Sequence, residues 1–265
     1  MQPTLTLRGG IEMPVLGLGV WQMAAGRETE QAVEWALEAG YRHVDTATLY
    51  RNEQSVGAAV RRSGLRREEV FVTTKLLPQR GSAAGELRKS LDRLALDYVD
   101  LYLVHWPIPL LAGRAWRQLA ELHEQGLARA IGVSNYGRGR LKRMIGGPCP
   151  PAVNQVQFNP FRYRRALLEY CRENGIVCEA YSPLARGKGV TDATVVEIAR
   201  RLDRTPAQVM LRWAIQHGAI VIPKSTREER IRANARVFDF ELAGDDMRRL
   251  DALDRTRQSA RAYLP

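Results

Sequence analysis

The chain has 265 residues, 45 % hydrophobic and 26 % charged, a globular composition that excludes wholesale disorder. Its length suits one large domain or two small ones, and a single (β/α)8 barrel equally well. The net charge of +11 rests on 40 basic against 29 acidic residues, but the arginines are scattered in singles and pairs such as Arg61-Arg62 and Arg200-Arg201, which reads as a solvated basic surface and not as a nucleic-acid footprint.

The first element expected is a short β-hairpin, with residues 4–7 and 11–13 flanking a turn at Gly9-Gly10. Eight short apolar or β-branched runs follow, at 15–19, 41–44, 70–74, 99–104, 128–133, 152–156, 176–180 and 219–222. Between them lie windows with helical spacing, among them Val33/Leu37, Leu87/Leu91/Leu94 and Trp116/Leu119/Leu122. Gly40, Gly126 and Gly175 stand where C-cap glycines belong. Between the seventh and eighth runs there is room for two helices, the second started by Thr205 as cap and Pro206 at the first helical position. A last helix is expected around 245–253. Strict β/α alternation with no linker predicts an α/β fold of parallel strands, and eight strands close a (β/α)8 TIM barrel, here with the N-terminal hairpin as its cap and residues 1–265 as one domain. A doubly wound sheet is the competitor, but Gly17-Leu18-Gly19-Val20-Trp21-Gln22 lacks the third glycine of a dinucleotide fingerprint.

No uncharged apolar stretch reaches the ~18 residues that cross a bilayer, and 13–26 is too interrupted, by Pro14 and Gln22, for a signal segment. No membrane association is therefore expected. Cys149, Cys171 and Cys178 form no CxxC pair, which predicts a reducing cytoplasmic setting. The four histidines show no metal-ligand spacing, so no metal is expected.

Chemistry in a barrel is carried at the C-terminal strand ends. Asp45 follows the second run, with Tyr50 five residues on; Lys75 follows the third, His105 the fourth, and Ser134-Asn135 the fifth. Lys75 is one of only five lysines, the other 35 basic residues being arginine, and it ends a strongly apolar strand. A free phenol, with a pKa of about 10, is a poor acid near neutrality. A buried ammonium beside it favours the phenolate, an aspartate behind that ammonium keeps it charged, and a histidine orients the substrate oxygen. Tyr50, Lys75, Asp45 and His105 form that set, and its task is to protonate an oxygen as hydride from a cofactor reaches the carbon.

Those residues sit in stretches that resemble the aldo-keto reductase superfamily over nearly the whole chain: 40–47 (Gly-Tyr-Arg-His-Val-Asp-Thr-Ala), 73–76 (Thr-Thr-Lys-Leu), 100–107 (Asp-Leu-Tyr-Leu-Val-His-Trp-Pro), 132–135, 153–155, 180–184 and 222–226. The short length is similar to the bacterial branch related to diketogluconate reductases. The resemblance implies a barrel enzyme that reduces the carbonyl of a small molecule with NADPH, with Asp45, Tyr50, Lys75 and His105 as its catalytic tetrad. It also implies that Ser134, Asn135 and Gln155 hold the nicotinamide carboxamide, with Tyr181 stacked on the ring. Ser182 and Leu184 then follow the pyrophosphate, while Lys224, Ser225, Thr226, Arg230 and Asn234 hold the adenosine end. Trp21, Leu49 and Trp106 are implied to line the substrate pocket, and a monomer is the expected state. Three departures stand out: Ala233 where many members carry an acid, a short segment at 108–115, and a tail, 259–265, of no familiar pattern. A non-catalytic nucleotide-sensing subunit on the same barrel is the competing reading, and the intact tetrad favours the enzyme.

Overall fold

A computed structural model describes residues 2–78 and 82–256, and the tail 259–265 lies outside the described residues. The hairpin is present as β1 (Thr4–Thr6) and β2 (Glu12–Pro14), antiparallel, with the Thr4 and Thr6 hydroxyls donating to the two Glu12 carboxylate oxygens at 2.5 and 2.6 Å. Eight parallel strands follow: β3 (Leu18–Gly19), β4 (His43–Asp45), β5 (Phe71–Leu76), β6 (Val99–Val104), β7 (Ala128–Ser134), β8 (Val153–Gln157), β9 (Val177–Tyr181) and β10 (Ile220–Ile222). Each pairs with the next in chain order. The ring closes where Leu16 bridges Val221, with the Gly17 N–H donating to the Val221 carbonyl and the Val221 N–H to the Val15 carbonyl, both at 2.8 Å. The expected first strand, 15–19, is thereby divided. Leu18 and Gly19 pair with β4, whereas Val15 to Gly17 bond to β10, because a closed barrel staggers its strands.

The helices pack outside this ring as the spacing predicts, from α1 (Arg27–Glu38), α2 (Glu53–Arg62), α3 (Ala83–Leu94) and α4 (Ala112–Glu124) to α5 (Arg138–Ile145) and α6 (Arg165–Glu173). Val33, Leu37, Leu87, Leu91, Leu119 and Leu122 bury against the outer face of the sheet. The two expected helices before β10 are α7 (Ala193–Arg201) and α8 (Pro206–Gln216), followed by α9 (Glu228–Ala235) and α10 (Gly244–Asp251). Helix α8 begins in a reciprocal cap: the Gln208 N–H donates to the Thr205 hydroxyl and the Thr205 N–H to Gln208 Oε1. Gly40, Gly126 and Gly175 all adopt positive φ past helix ends, as expected.

Inside the ring, residues two apart point to the lumen. At its lower end Phe71, Leu101, Leu103, Ala130, Val153 and Ile220 form an apolar floor, completed from below by Leu7 and Met13 of the hairpin segment. Above the floor the lumen turns polar, with His43, Asp45, Thr73, Lys75, Gln155 and Glu179 all buried. The outer layer holds buried acids of its own, Glu53, Asp100 and Asp246 among the described residues. Asp100, on β6, accepts from the Val72 N–H at 2.9 Å, from Arg67 at 2.7 Å and from Arg129 at 2.8 Å. Asp100→Ala strands the Val72 N–H and leaves the mostly buried Arg67 with backbone carbonyls but no carboxylate, so a loss of about 2–3 kcal/mol is expected in chemical denaturation. A midpoint equal to that of the unaltered protein would show that water replaces these bonds at no cost.

Candidate active site

Each member of the predicted tetrad is brought to one place at the mouth of the barrel. Asp45 ends β4 and Lys75 lies near the end of β5, both facing the lumen. Tyr50 is delivered by a single turn of 3₁₀ helix, Thr48–Tyr50, stopped by Arg51 in the left-handed region at φ 59°. His105 follows β6 directly, its N–H donating to the Leu76 carbonyl at 2.8 Å. The Lys75 Nζ is fully buried and spends its three hydrogens on Asp45 Oδ1 at 2.6 Å, the Thr46 carbonyl at 2.9 Å and the Tyr50 hydroxyl at 3.2 Å. The His105 ring meets the Tyr50 ring edge to face at 5.7 Å.

The electrostatics follow from burial and from these short contacts. Burial pulls the Lys75 ammonium down, but Asp45 first, with Tyr50 and Glu179 adding to it, more than reverses this and holds it charged, above its ordinary range. Burial likewise raises Asp45, against the pull of Lys75 and of the Gln155 amide. At 2.6 Å the two groups stand as a carboxylate and an ammonium that sustain each other. His105 is lowered to about 3, by burial first and by Lys75 second, and is a neutral imidazole at physiological pH. The Tyr50 phenol corrects the sequence-based expectation. Lys75 does pull its pKa down, but burial is larger and Asp45 adds to it, so the phenol lies above its ordinary value in the free protein. Desolvation outweighs one neighbouring cation, and the acid is kept protonated.

The other expected residues surround this centre. The Ser134 hydroxyl donates to the Gln155 carbonyl at 2.9 Å. Asn135, in the left-handed region at φ 66°, donates to Ser134 Oγ at 3.0 Å and to the His105 carbonyl at 3.3 Å, and accepts from the Tyr181 hydroxyl at 2.9 Å. Ser182 is also left-handed, and its carbonyl accepts from Asn159. Leu184 packs half-buried against the core. Past β10, Lys224 and Arg230 are exposed, Thr226 is half-buried, and Ser225 and Asn234 are buried. Trp21, Leu49 and Trp106 are exposed large apolar side chains, at 40, 50 and 45 %. The Arg186 guanidinium lies 5.4 Å from the Trp21 ring, a contact the sequence did not single out. Also missed was Glu179, read as part of an apolar strand; an acid at a lumen-facing alternate position was the available signal.

This centre, in this barrel, defines a class of oxidoreductase, and the comparisons agree. The Aldo/keto reductase family pattern matches residues 15–255, and the chain belongs to that family. It is 42 % identical over 259 residues to glyoxal reductase of Bacillus subtilis (strain 168), covering 96 % of this chain and 94 % of that protein. It is 45 % identical over 260 residues to methylglyoxal reductase DkgA of Yersinia pestis, again covering 96 % and 94 %. The crystal structure of an aldo/keto reductase from Brucella melitensis superposes with a TM-score of 0.91 at 42 % identity, over 96 % of this chain and all of that one. The family supports carbonyl reduction as the reaction.

Proposed function

We propose that the protein reduces the carbonyl of small aldehydes and ketones to an alcohol, with NADPH supplying the hydride when bound. The observation that carries this reading is the fully buried Lys75 ammonium held between Asp45 and the Tyr50 hydroxyl. Tyr50 gives its proton to the carbonyl oxygen as the carbon gains hydride, so one proton and one hydride together make the alcohol. The charged Lys75 stabilises the phenolate that forms at Tyr50, and Asp45 keeps that ammonium in place. Neutral His105 hydrogen-bonds the substrate oxygen and orients it.

The groups at the mouth fit such a cofactor. Gln155 commits both amide hydrogens to the carboxyl groups of Asp45 and Glu179, at 2.7 and 2.9 Å, which leaves its Oε1 as an acceptor for a carboxamide N–H. Ser134, Asn135 and Tyr181 stand around it; Ser182 and Leu184 follow the pyrophosphate. Among the described residues neither Lys224 nor Arg230 meets a carboxylate, and both are free for a phosphate, with Ser225, Thr226 and Asn234 beside them. The exposed Trp21, Leu49 and Trp106 give the substrate an apolar wall, and the named activities of the relatives point to small α-oxoaldehydes. The three cysteines are free thiols, in keeping with a reducing cytoplasm, and we read the enzyme as a monomer. Steady-state oxidation of NADPH with methylglyoxal and with simple aldehydes is the test. Saturable turnover is expected, and none with any carbonyl compound would overturn the reading.

Cofactor choice is expected to sit on Lys224, Ser225 and Arg230. A guanidinium grips phosphate oxygens through charge-assisted bonds of ~1.5–3 kcal/mol each, so one lost contact is roughly ten- to hundredfold in Kd. Arg230→Ala therefore weakens NADPH binding by about that factor and leaves NADH almost unchanged. Fluorescence titration of both cofactors checks this, and equal weakening of the two would make Arg230 structural.

A further inference from the structure

Beneath the tetrad lies a second buried acid that the proposed reaction does not use. Glu179, on β9, is fully buried and faces the lumen beside His43, Asp45, Lys75 and Gln155. Its Oε2 accepts from Gln155 Nε2 at 2.9 Å, and the same nitrogen donates to Asp45 Oδ2 at 2.7 Å. The other Asp45 oxygen is the one that holds Lys75. Strands β4 and β8 lie four apart in the ring of eight, so this amide reaches across the lumen between opposite walls. The second Glu179 oxygen faces His43 Nε2 at 3.6 Å, and His43 Nε2 is bonded to the Thr73 hydroxyl at 3.1 Å. The space that the His43 ring occupies exists because residue 17 is glycine: a Cβ there would lie 2.4 Å from His43 Nδ1.

We propose that Glu179 is a positioning residue for the reductase reaction: it fixes the Gln155 amide, and through that amide holds the Asp45 carboxylate against Lys75 and Tyr50 from the far wall of the barrel. The inference rests on the reductase reading above. An amide nitrogen has two hydrogens, and here each has a carboxyl oxygen to accept it. With Glu179 gone, Gln155 is restrained at Asp45 alone, and the partner that resists rotation of Asp45 away from Lys75 is itself less firmly held. Supporting shells of this kind matter because misplacing a reacting group by a fraction of an ångström slows the chemistry while the fold survives.

Charge adds a second readout. Burial, and then the Asp45 carboxylate, push Glu179 up to about 8, with Gln155 and Lys75 opposing. His43 is lowered to about 3 by burial and then by Lys75, so it contributes no charge of its own. Glu179 is therefore largely neutral near neutrality and anionic in mild alkali. There its charge joins that of Asp45 in opposing ionisation of Tyr50, against Lys75. His105, the remaining neighbour, is neutral.

Two variants test the proposal. Glu179→Leu removes the acceptor, and kcat for aldehyde reduction is expected to fall about ten- to hundredfold with little change in the aldehyde KM. Glu179→Gln keeps an acceptor oxygen of the same reach and recovers most of kcat near neutrality. It lacks the alkaline charge, so Tyr50 ionises at lower pH and the alkaline limb of kcat/KM moves down. The phenol's ultraviolet difference titration, read against Tyr50→Phe, follows the same shift without turnover. A Glu179→Leu protein with wild-type kcat would overturn the proposal, and so would a Tyr50 titration that Glu179→Gln leaves in place. If Glu179→Leu does not fold, the Glu179→Gln titration decides. Failure of the unaltered protein to oxidise NADPH with any carbonyl compound would instead overturn the reductase reading, which the titration does not address.

Discussion

Tyr50→Phe is expected to leave NADPH binding within about twofold and to remove turnover by ~10²–10⁴-fold, the usual worth of general acid catalysis. The substitution deletes one hydroxyl, the only one within hydrogen-bond reach of Lys75 Nζ among the described residues. The ring stays, and with it the edge-to-face contact with His105. Because no replacement acid exists at that point, the loss is expected to be uniform across pH. Fluorescence titration of the cofactor combined with steady-state rates separates the two effects. Turnover within a few-fold of the unaltered enzyme would remove Tyr50 from its role.

Lys75→Met should be as damaging, on the order of 10²–10⁴-fold in kcat, but by another route and with another signature. The ammonium is what pulls the Tyr50 pKa down against burial. Without it the phenol becomes a weaker acid whose pKa moves further up. A raised pKa keeps the proton on to higher pH, so the small residual rate is expected to persist into more alkaline solution than in the unaltered enzyme. The same change leaves Asp45 buried with only the Gln155 amide as partner, which costs about 3–5 kcal/mol unless the carboxylate takes up a proton. Adding Asp45→Asn to Lys75→Met is therefore expected to restore stability and not activity. A single variant with good activity and an unmoved pH profile would dissolve the tetrad.

Much of the fold was legible because its signals are local. Each strand is a short run of Val, Ile, Leu or Tyr between helical windows, and the caps at Thr205-Pro206 and the turn at Gly9-Gly10 are written in adjacent residues. The candidate site was legible for a related reason: in a closed parallel barrel the residue after each strand has one destination, so Asp45, Lys75 and His105 could be placed without coordinates. What escaped depends on the far side of the lumen. Glu179 looks like an interruption of the apolar run 176–180 until the closed lumen brings β9 within reach of His43 on β4. Gln155 was assigned to the nicotinamide, but its bridging of two acidic side chains needs distances. The direction of the Tyr50 shift needed the balance of burial against charge, and a sequence gives the charges without the burial. The same limit applies at the outer edge, where Trp213 of α8 and His217, just past that helix, both donate to Asp251 of α10, at 2.7 and 2.8 Å, and Tyr163 meets His217. Nothing in residues spaced 34 and 38 apart announces that clasp.

The hairpin beneath the apolar floor has a practical meaning. Leu7 and Met13 seal the lower end of the barrel, and the Gly9-Gly10 turn projects from that end into solvent. All traffic of reactants then passes through the opposite opening, and a tether at the hairpin turns that opening away from whatever the protein is fastened to. Beads, electrodes or fused partner enzymes joined there would leave the working end unobstructed, whereas fastening through the exposed Lys224 would draw the support across it.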